Sequence, residues 1–207
     1  MFESMPGSLF EPIPESMPQP TLEPILELTP ESMPEKKRVK KSGRMTVDEY
    51  FLKIAAVVAE RSTCLRHHVG AIAVKDRHIL STGYNGAPSG TTDCLTLGCL
   101  RNEMKIPSGE RHEICRAVHA EQNVVIQAAL HGSSLEGATI YSTHTPCTVC
   151  SKILVNSKIK RFVSFKQYDE TSHDAWVNFK AFNGLFKQAG IDLIVLEKPS
   201  SRITFLD

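Results

Sequence analysis

The sequence of 207 residues lacks any long apolar run, and this absence bears on where the protein resides. Its longest apolar stretches, such as residues 54–59 and 69–74, fall far short of the roughly 18 residues that a membrane-spanning helix needs. The first ten residues also lack the basic start and the apolar centre of a secretory signal. We therefore expect no membrane helix, and we expect the protein to stay in the cytoplasm.

Lysine and arginine are missing from residues 1–35, which carry seven glutamates and eight of the twelve prolines in the chain. The four-residue sequence ESMP occurs three times in this segment. A segment with so few large apolar groups cannot offset the conformational entropy that folding would remove. We predict a disordered tail over residues 1–44 and one folded domain over residues 45–207.

The tail ends in a basic run, with six lysines or arginines between positions 36 and 44. Runs like that from Lys36 to Lys41 occur in nuclear-import signals and in nucleic-acid patches. The alternative that we favour is a solvated linker whose charge balances the acidic segment before it. The domain itself carries 18 basic and 16 acidic residues, a net charge of +2, so we do not expect a nucleic-acid partner.

Hydrophobic periodicity and turn residues place the regular elements of the domain. Thr46 before Asp48 and Glu49 is typical of a helix N-cap, and Gly132 follows the predicted end of a later helix. Residues 85–115 are predicted to be a long irregular loop. This order predicts an α/β domain with a mixed five-stranded sheet, helices on both faces and parallel later strands. The predicted helices cover 47–61, 118–131, a segment opening at Pro146, and 174–188, and the predicted strands cover 69–75, 78–84, 138–143, 161–165 and 191–196.

Two short motifs carry the chemistry: the His-Ala-Glu motif that starts at His119, and the Pro-Cys-Thr-Val-Cys motif that holds Cys147 and Cys150. The two cysteines share one face at the start of a predicted helix, where the helix N-terminus favours thiolates. The strand between the two helices brings His119 to the same sheet edge. Three ligands leave one position open, which is typical of catalytic zinc, and Glu121 supplies an adjacent carboxylate. The alternative is an ordinary helix histidine beside a redox or structural cysteine pair.

These motifs, His-x-Glu and then Pro-Cys-x-x-Cys, resemble the signature of zinc nucleobase deaminases. Other segments resemble the deoxycytidylate (dCMP) deaminase family, especially its bacterial and archaeal branch. The similarity covers residues 46 to about 196. It implies a three-layer α/β/α cytidine deaminase-like fold, hydrolysis of dCMP to dUMP and ammonia, supply of dUMP for thymidylate synthesis, and a homo-oligomer. The segments are RSTCLR from Arg61, VGA from Val69, GYNGAPSG from Gly83, CRAVHAEQN from Cys115 and THTPCTVC from Thr143.

The resemblance also implies roles for individual residues. It makes His119, Cys147 and Cys150 the ligands of a catalytic Zn²⁺. It makes Glu121 the group that moves protons between the water, the ring nitrogen of the base and the departing ammonia.

Three residues are candidates for substrate binding. Asn85 matches a position that hydrogen-bonds the nucleotide, and Tyr168 matches a tyrosine that lines the pocket. Asn85 before Gly86 also suits a tight turn with positive φ, and a tyrosine after a strand is often simply packed. Arg66 is the candidate for the 5′-phosphate, because a dianion needs a guanidinium or ammonium. Some family members have an arginine after the matched tyrosine, whereas this chain has Asp169, so the resemblance does not assign its phosphate contacts.

The other four cysteines bracket the long loop, and we do not expect them to form disulfides in a reducing compartment. Some relatives carry a second, structural zinc at corresponding places, and such an ion would stabilise a loop with little core. The alternative is that these thiols are buried and pack as small hydrophobic groups. The predicted ligands are Cys64, Cys94, His112 and Cys115, with Cys99 as the substitute for His112.

Three other functions fit part of the sequence. A tRNA adenosine deaminase shares both motifs, but the low charge of the domain disfavours it. Deaminases of riboflavin precursors share the metal motif, and only the flanking segments disfavour them. A non-catalytic zinc or partner-binding module would use the tail as its interaction arm, but Glu121 has no purpose in a purely structural site.

Overall fold

The computed structural model describes residues 45–108, 110–165 and 173–196, and of residues 173–179 it describes the backbone alone. The predicted tail, the basic run and Tyr168 lie outside these ranges. The helices are α1 (Val47–Ala59), α2 (Cys94–Leu97), α3 (Leu100–Glu103), α4 (Ala120–Leu130), α5 (Thr148–Asn156) and α6 (His173–Gln188). The strands are β1 (Gly70–Lys75), β2 (His78–Tyr84), β3 (Thr139–Ser142), β4 (Arg161–Phe165) and β5 (Asp192–Leu196).

The five strands form one mixed sheet in the order β2-β1-β3-β4-β5. Strand β1 pairs antiparallel with both β2 and β3. Strands β3, β4 and β5 run parallel, which confirms the prediction for the later strands. Asp76 and Arg77 join β1 to β2 with positive φ at both positions, as a two-residue type I′ hairpin loop requires.

The sheet is covered on both faces, because side chains alternate along each strand. Ala71 and Ala73 of β1 lie in a core that also holds buried residues of α4, α5 and α6. Ile72 and Val74 lie in a second core with α1. This arrangement confirms the predicted three layers. No helix within the described ranges combines the length and apolar character that crossing a bilayer demands.

The sequence prediction of an unbroken irregular loop over residues 85–115 is wrong in detail. The segment contains α2 and α3 as well as a 3₁₀ turn, His112–Ile114. Asp93 caps α2 by accepting a hydrogen bond from the Thr96 amide at 3.1 Å. Gly98, with φ +79°, ends that helix, and so the two short helices stay separate.

Two glycines allow helices to lie unusually close to the sheet. A Cβ on Gly83 of β2 would lie 2.3 Å from the carbonyl oxygen of Ala120 and 2.6 Å from the amide nitrogen of Val124, both in α4. A Cβ on Gly70 of β1 would lie 2.3 Å from the carbonyl oxygen of Ala55 in α1. Only glycine fits such close approaches. Gly83 therefore sets the distance between the sheet and the first turn of α4.

Candidate metal centre and active site

The first turn of α4 carries two of the predicted site residues, and neighbouring side chains hold its start in place. His119 is the N-cap residue, with extended backbone, and its amide donates to the Gln122 Oε1 atom at 3.0 Å. The next amide, that of Ala120, donates to the Asn85 Oδ1 atom at 2.8 Å. These acceptors satisfy amides that a helix start otherwise leaves unpaired. Glu121 follows on the same turn and is buried.

The start of α5 places the two cysteines beside His119. Cys147 is the N-cap residue, and its Sγ atom accepts a hydrogen bond from the Cys150 amide at 3.5 Å. The Nδ1 atom of His119 lies 3.6 Å from the Cys147 Sγ atom and 3.5 Å from the Cys150 Sγ atom. Helix α4 precedes β3 and α5 follows it, so both helix starts meet at the carboxyl end of β3. The structure therefore brings together the three predicted zinc ligands.

One imidazole nitrogen and two thiol sulfurs, all within 4.8 Å of one another, fit the donor set and size of a zinc site. Within the described ranges, no other group of His, Cys, Asp or Glu side chains reaches this spacing. Three protein ligands leave a coordination position for water or substrate, which is typical of catalytic zinc. We call these three residues the zinc site.

The charges at the zinc site are set by burial and by hydrogen bonds among its members. Hydrogen bonds from Cys150 and His119 hold the pKa of the Cys147 thiol well below its usual range. The Cys147 thiolate in turn raises the pKa of His119. Sharing a proton with Cys147, together with burial, raises the pKa of Cys150. Such a cluster is ready to exchange its protons for a cation.

Glu121 is 4% exposed, and this burial raises the pKa of its carboxyl group to about 7. Its carboxyl group and the Cys150 thiol lie close enough to shift each other's pKa. A carboxyl group that lies next to the zinc site and has a pKa near neutrality can both accept and donate a proton. The structure places this carboxyl group beside the three residues of the zinc site.

Asn85 is buried, and both ends of its amide group are engaged. Its Oδ1 atom accepts from the Ala120 amide, and its Nδ2 atom donates to the His67 carbonyl oxygen at 3.1 Å. Neither Asn85 nor Gly86 has a positive φ, so the tight-turn interpretation of this pair is wrong. Asn85 instead connects the end of β2 to the start of α4. Sequence reasoning missed this bracing role because it depends on a contact 35 residues away.

The other predicted residues lie around the zinc site in different ways. Arg66 is part-buried, and its Nη1 atom donates to the Ile106 carbonyl oxygen at 2.9 Å. The ring of His112 packs edge-on against that of His119, with centroids 5.2 Å apart. Burial lowers the pKa of His112. Tyr168 and Asp169 lie outside the described residues.

The four loop cysteines have free thiols, and three of them are buried. Burial raises the pKa of Cys94, and the nearby Cys115, Cys64 and Cys99 thiols raise it further, in that order. Their sulfur atoms do not reach the spacing that the zinc site shows within the described part of the chain. Cys99, the predicted substitute for His112, is among the thiols that raise the pKa of Cys94.

A mixed five-stranded sheet between helix layers, with His, Cys, Cys and Glu at the starts of two helices, is the architecture of the cytidine deaminase-like proteins. Residues 45–166 match the family model of the cytidine and deoxycytidylate deaminase zinc-binding region, and the chain belongs to that family.

Individual relatives agree with this assignment. The deoxycytidylate deaminase of Mycobacterium phage D29 is 43% identical over 125 residues, which cover 58% of this chain and 94% of that protein. The deoxycytidylate deaminase of Enterobacteria phage T4 is 32% identical over 177 residues, covering 71% and 88%. The solved structure of dCMP deaminase from cyanophage S-TIM5, in complex with dCMP and dUMP, is 28% identical with a TM-score of 0.57, and covers 74% of this chain and 100% of that one.

Proposed function

We propose that this protein is a zinc-dependent deoxycytidylate deaminase, which converts dCMP and water to dUMP and ammonia. The observation that carries the proposal is the zinc site of His119, Cys147 and Cys150 beside the buried carboxyl group of Glu121. The relatives that are named deoxycytidylate deaminases, and the S-TIM5 enzyme with dCMP and dUMP, support this choice of substrate. The product would supply dUMP for thymidylate synthesis.

In this proposal each site residue has a defined task. His119, Cys147 and Cys150 hold the zinc ion. When bound, zinc supplies an activated water at neutral pH by lowering the pKa of that water. Glu121 takes a proton from the water, gives a proton to ring N3 of cytosine, and later delivers one to the amino group that leaves C4 as ammonia. Its buried carboxyl group, with a pKa raised by burial, suits repeated proton transfer in both directions.

Substrate binding is assigned to Asn85, Arg66 and Tyr168. Asn85 uses one donor and one acceptor on the backbone, and its second N–H and second lone pair, which pair with none of the described residues, are assigned to the nucleotide. Arg66 uses one of its five N–H groups on Ile106, and the others are offered to the 5′-phosphate. We further propose that the enzyme acts in the cytoplasm as a homo-oligomer.

The experiment that tests this function measures ammonia release by the zinc-loaded full-length protein. The substrates are dCMP, dCTP, cytidine, deoxycytidine and a tRNA anticodon stem-loop. We expect release from dCMP at the highest kcat/KM. Release from the stem-loop alone would support a tRNA adenosine deaminase and overturn the proposal. No release from any member would favour a non-catalytic zinc module.

We also propose a second, structural zinc ion held by the loop cysteines. The Cys64, Cys99 and Cys115 thiols lie close enough to Cys94 to raise its pKa, which supports a site with four thiolates, the closed set that structural zinc prefers. Because His112 packs against His119, Cys99 is the better fourth ligand. The ion would stabilise a loop that contains only two helices of four residues each and a 3₁₀ turn.

A further inference from the structure

His112 packs against a zinc ligand and has no task in the mechanism proposed above. Its ring lies edge-on to the ring of His119, with centroids 5.2 Å apart and an interplanar angle of 84°. Burial has the largest effect on the pKa of His112, and Cys147 and His119 lie close enough to shift it too. His112 therefore borders the zinc site, although it is not one of the three residues that form it.

The His119 ring needs a neighbour of this kind because its own torsion does not fix its orientation. Its Nδ1 atom faces the Cys147 and Cys150 sulfurs at 3.6 and 3.5 Å, so Nδ1 is the nitrogen that would bind zinc. The torsion that joins an imidazole ring to its Cβ atom is broad and roughly two-fold, and rotation about it would carry Nδ1 away from the sulfurs. In the described part of the chain, the ring of His112 is the aromatic group that packs against His119.

The chain between the two histidines is fixed at both ends. Arg111 has a φ of 49°, in the left-handed region, and begins the 3₁₀ turn that contains His112. The Cys115 amide closes that turn by donating to the His112 carbonyl oxygen at 3.1 Å. At the other end, Val118 exchanges two backbone hydrogen bonds with Gly86, at 2.8 and 3.2 Å. A non-glycine residue persists in the left-handed region only where the surrounding structure holds it, and such residues cluster at functional sites. The turn therefore holds the His112 ring against its neighbour.

We infer that His112 is a positioning residue for the zinc site, because its ring limits rotation of the His119 imidazole and so keeps Nδ1 aimed at the metal. The packed ring makes this contribution, and the nitrogen atoms of His112 do not. Loss of a group that orients a metal-binding histidine typically lowers metal affinity about 10- to 100-fold. An aromatic contact belongs at the lower end of that range. This inference rests on the zinc site of the proposed function and is independent of its substrate.

The test measures the Kd for zinc by titrating zinc-free, full-length protein in competition with a chelator. The binding step that His119→Ala abolishes is assigned to the zinc site. We expect His112→Ala to raise the Kd of that step roughly 10-fold. His112→Phe should restore a Kd within about 3-fold of the wild-type value, because phenylalanine keeps a planar ring. The matched control is His131→Ala, which removes an exposed histidine at the far end of α4 and should leave the Kd unchanged.

A ligand role for His112 makes a different prediction. If His112 bound the second zinc ion, His112→Ala would lower the number of zinc ions per chain and leave the Kd of the zinc site unchanged, which would overturn the inference. A His112→Phe protein that binds zinc as weakly as His112→Ala would also overturn it. If His112→Ala does not fold, His112→Leu takes its place, because leucine fills the space without a planar ring, and an unchanged Kd in that variant again overturns the inference. A wild-type protein that releases no ammonia would instead defeat the proposed function, and the zinc affinities would still decide the role of His112.

Discussion

Gly83→Ala should damage both stability and activity, because β2 and α4 meet at this position without room for a methyl group. The new Cβ would lie 2.3 Å from the Ala120 carbonyl oxygen and 2.6 Å from the Val124 amide nitrogen. Both are backbone atoms, so no side chain can rotate away. Helix α4 or strand β2 must move by about an ångström to restore ordinary van der Waals contact.

The magnitude follows from that displacement. Overpacking of this kind costs about 1–3 kcal/mol in the free energy of unfolding. In a domain of this size each kcal/mol lowers Tm by roughly 2–4 °C. Ala120 lies between His119 and Glu121, and a shift of about 1 Å in a catalytic group can lower the rate about 100-fold. We expect a reduced Tm and a reduced kcat for dCMP, with zinc still bound if the displacement leaves the three ligands in reach of one another.

The control is the same substitution elsewhere in the chain. Gly184 lies within α6, has no positive φ, and an added Cβ there meets nothing within 4 Å. Gly184→Ala should therefore stabilise the protein by about 0.5–1 kcal/mol, because alanine is the better helix former. Tm from thermal melts and kcat from ammonia release are measured on both variants. If Gly83→Ala keeps the wild-type Tm and kcat, then the close approach of α4 to β2 is not what positions the site.

The other predictions concern the metal, the proton carrier and the tail. Glu121→Gln should lower kcat about 10²- to 10⁴-fold and keep its zinc, whereas Cys147→Ala should lose both activity and zinc. Metal analysis together with kinetics distinguishes the two variants. Wild-type turnover by Glu121→Gln would contradict the proposed mechanism. The fully zinc-loaded wild-type protein should carry two zinc ions per chain, and the Cys94→Ala variant should carry one and have a lower Tm. A single zinc ion in the wild-type protein would refute the second site. A chain that begins at Arg44 should fold and deaminate dCMP with unchanged kcat/KM, and a loss of activity would show that the domain boundary at residue 45 is wrong.

The elements and the zinc site could be predicted because they depend on local signals. Thr46 caps α1 as its spacing before Glu49 indicates, with reciprocal hydrogen bonds between the two residues. The parallel strands followed from the alternation of helices and strands. His119 and Cys147 both serve as N-caps of their helices, which placed the ligands together once the intervening strand had been recognised.

The rest depends on contacts between distant parts of the chain. The position of β1 between β2 and β3 follows from strand pairing that hydrophobic periodicity does not encode. In the sequence Gly83 belongs to a turn motif, and only the packing of the folded chain shows its close contact with α4. The burial of Arg101 runs against the usual exposure of arginine, so composition gives no warning of it.

The most direct test of the central claim is the product that zinc-loaded protein forms from dCMP in water enriched in ¹⁸O. Hydrolytic deamination replaces the amino group at C4 with an oxygen from water. Mass spectrometry should therefore detect dUMP that carries one ¹⁸O atom, with one ammonia released for each dUMP formed. If protein that holds its zinc leaves dCMP unconverted, or if the dUMP formed lacks ¹⁸O, the result contradicts the account.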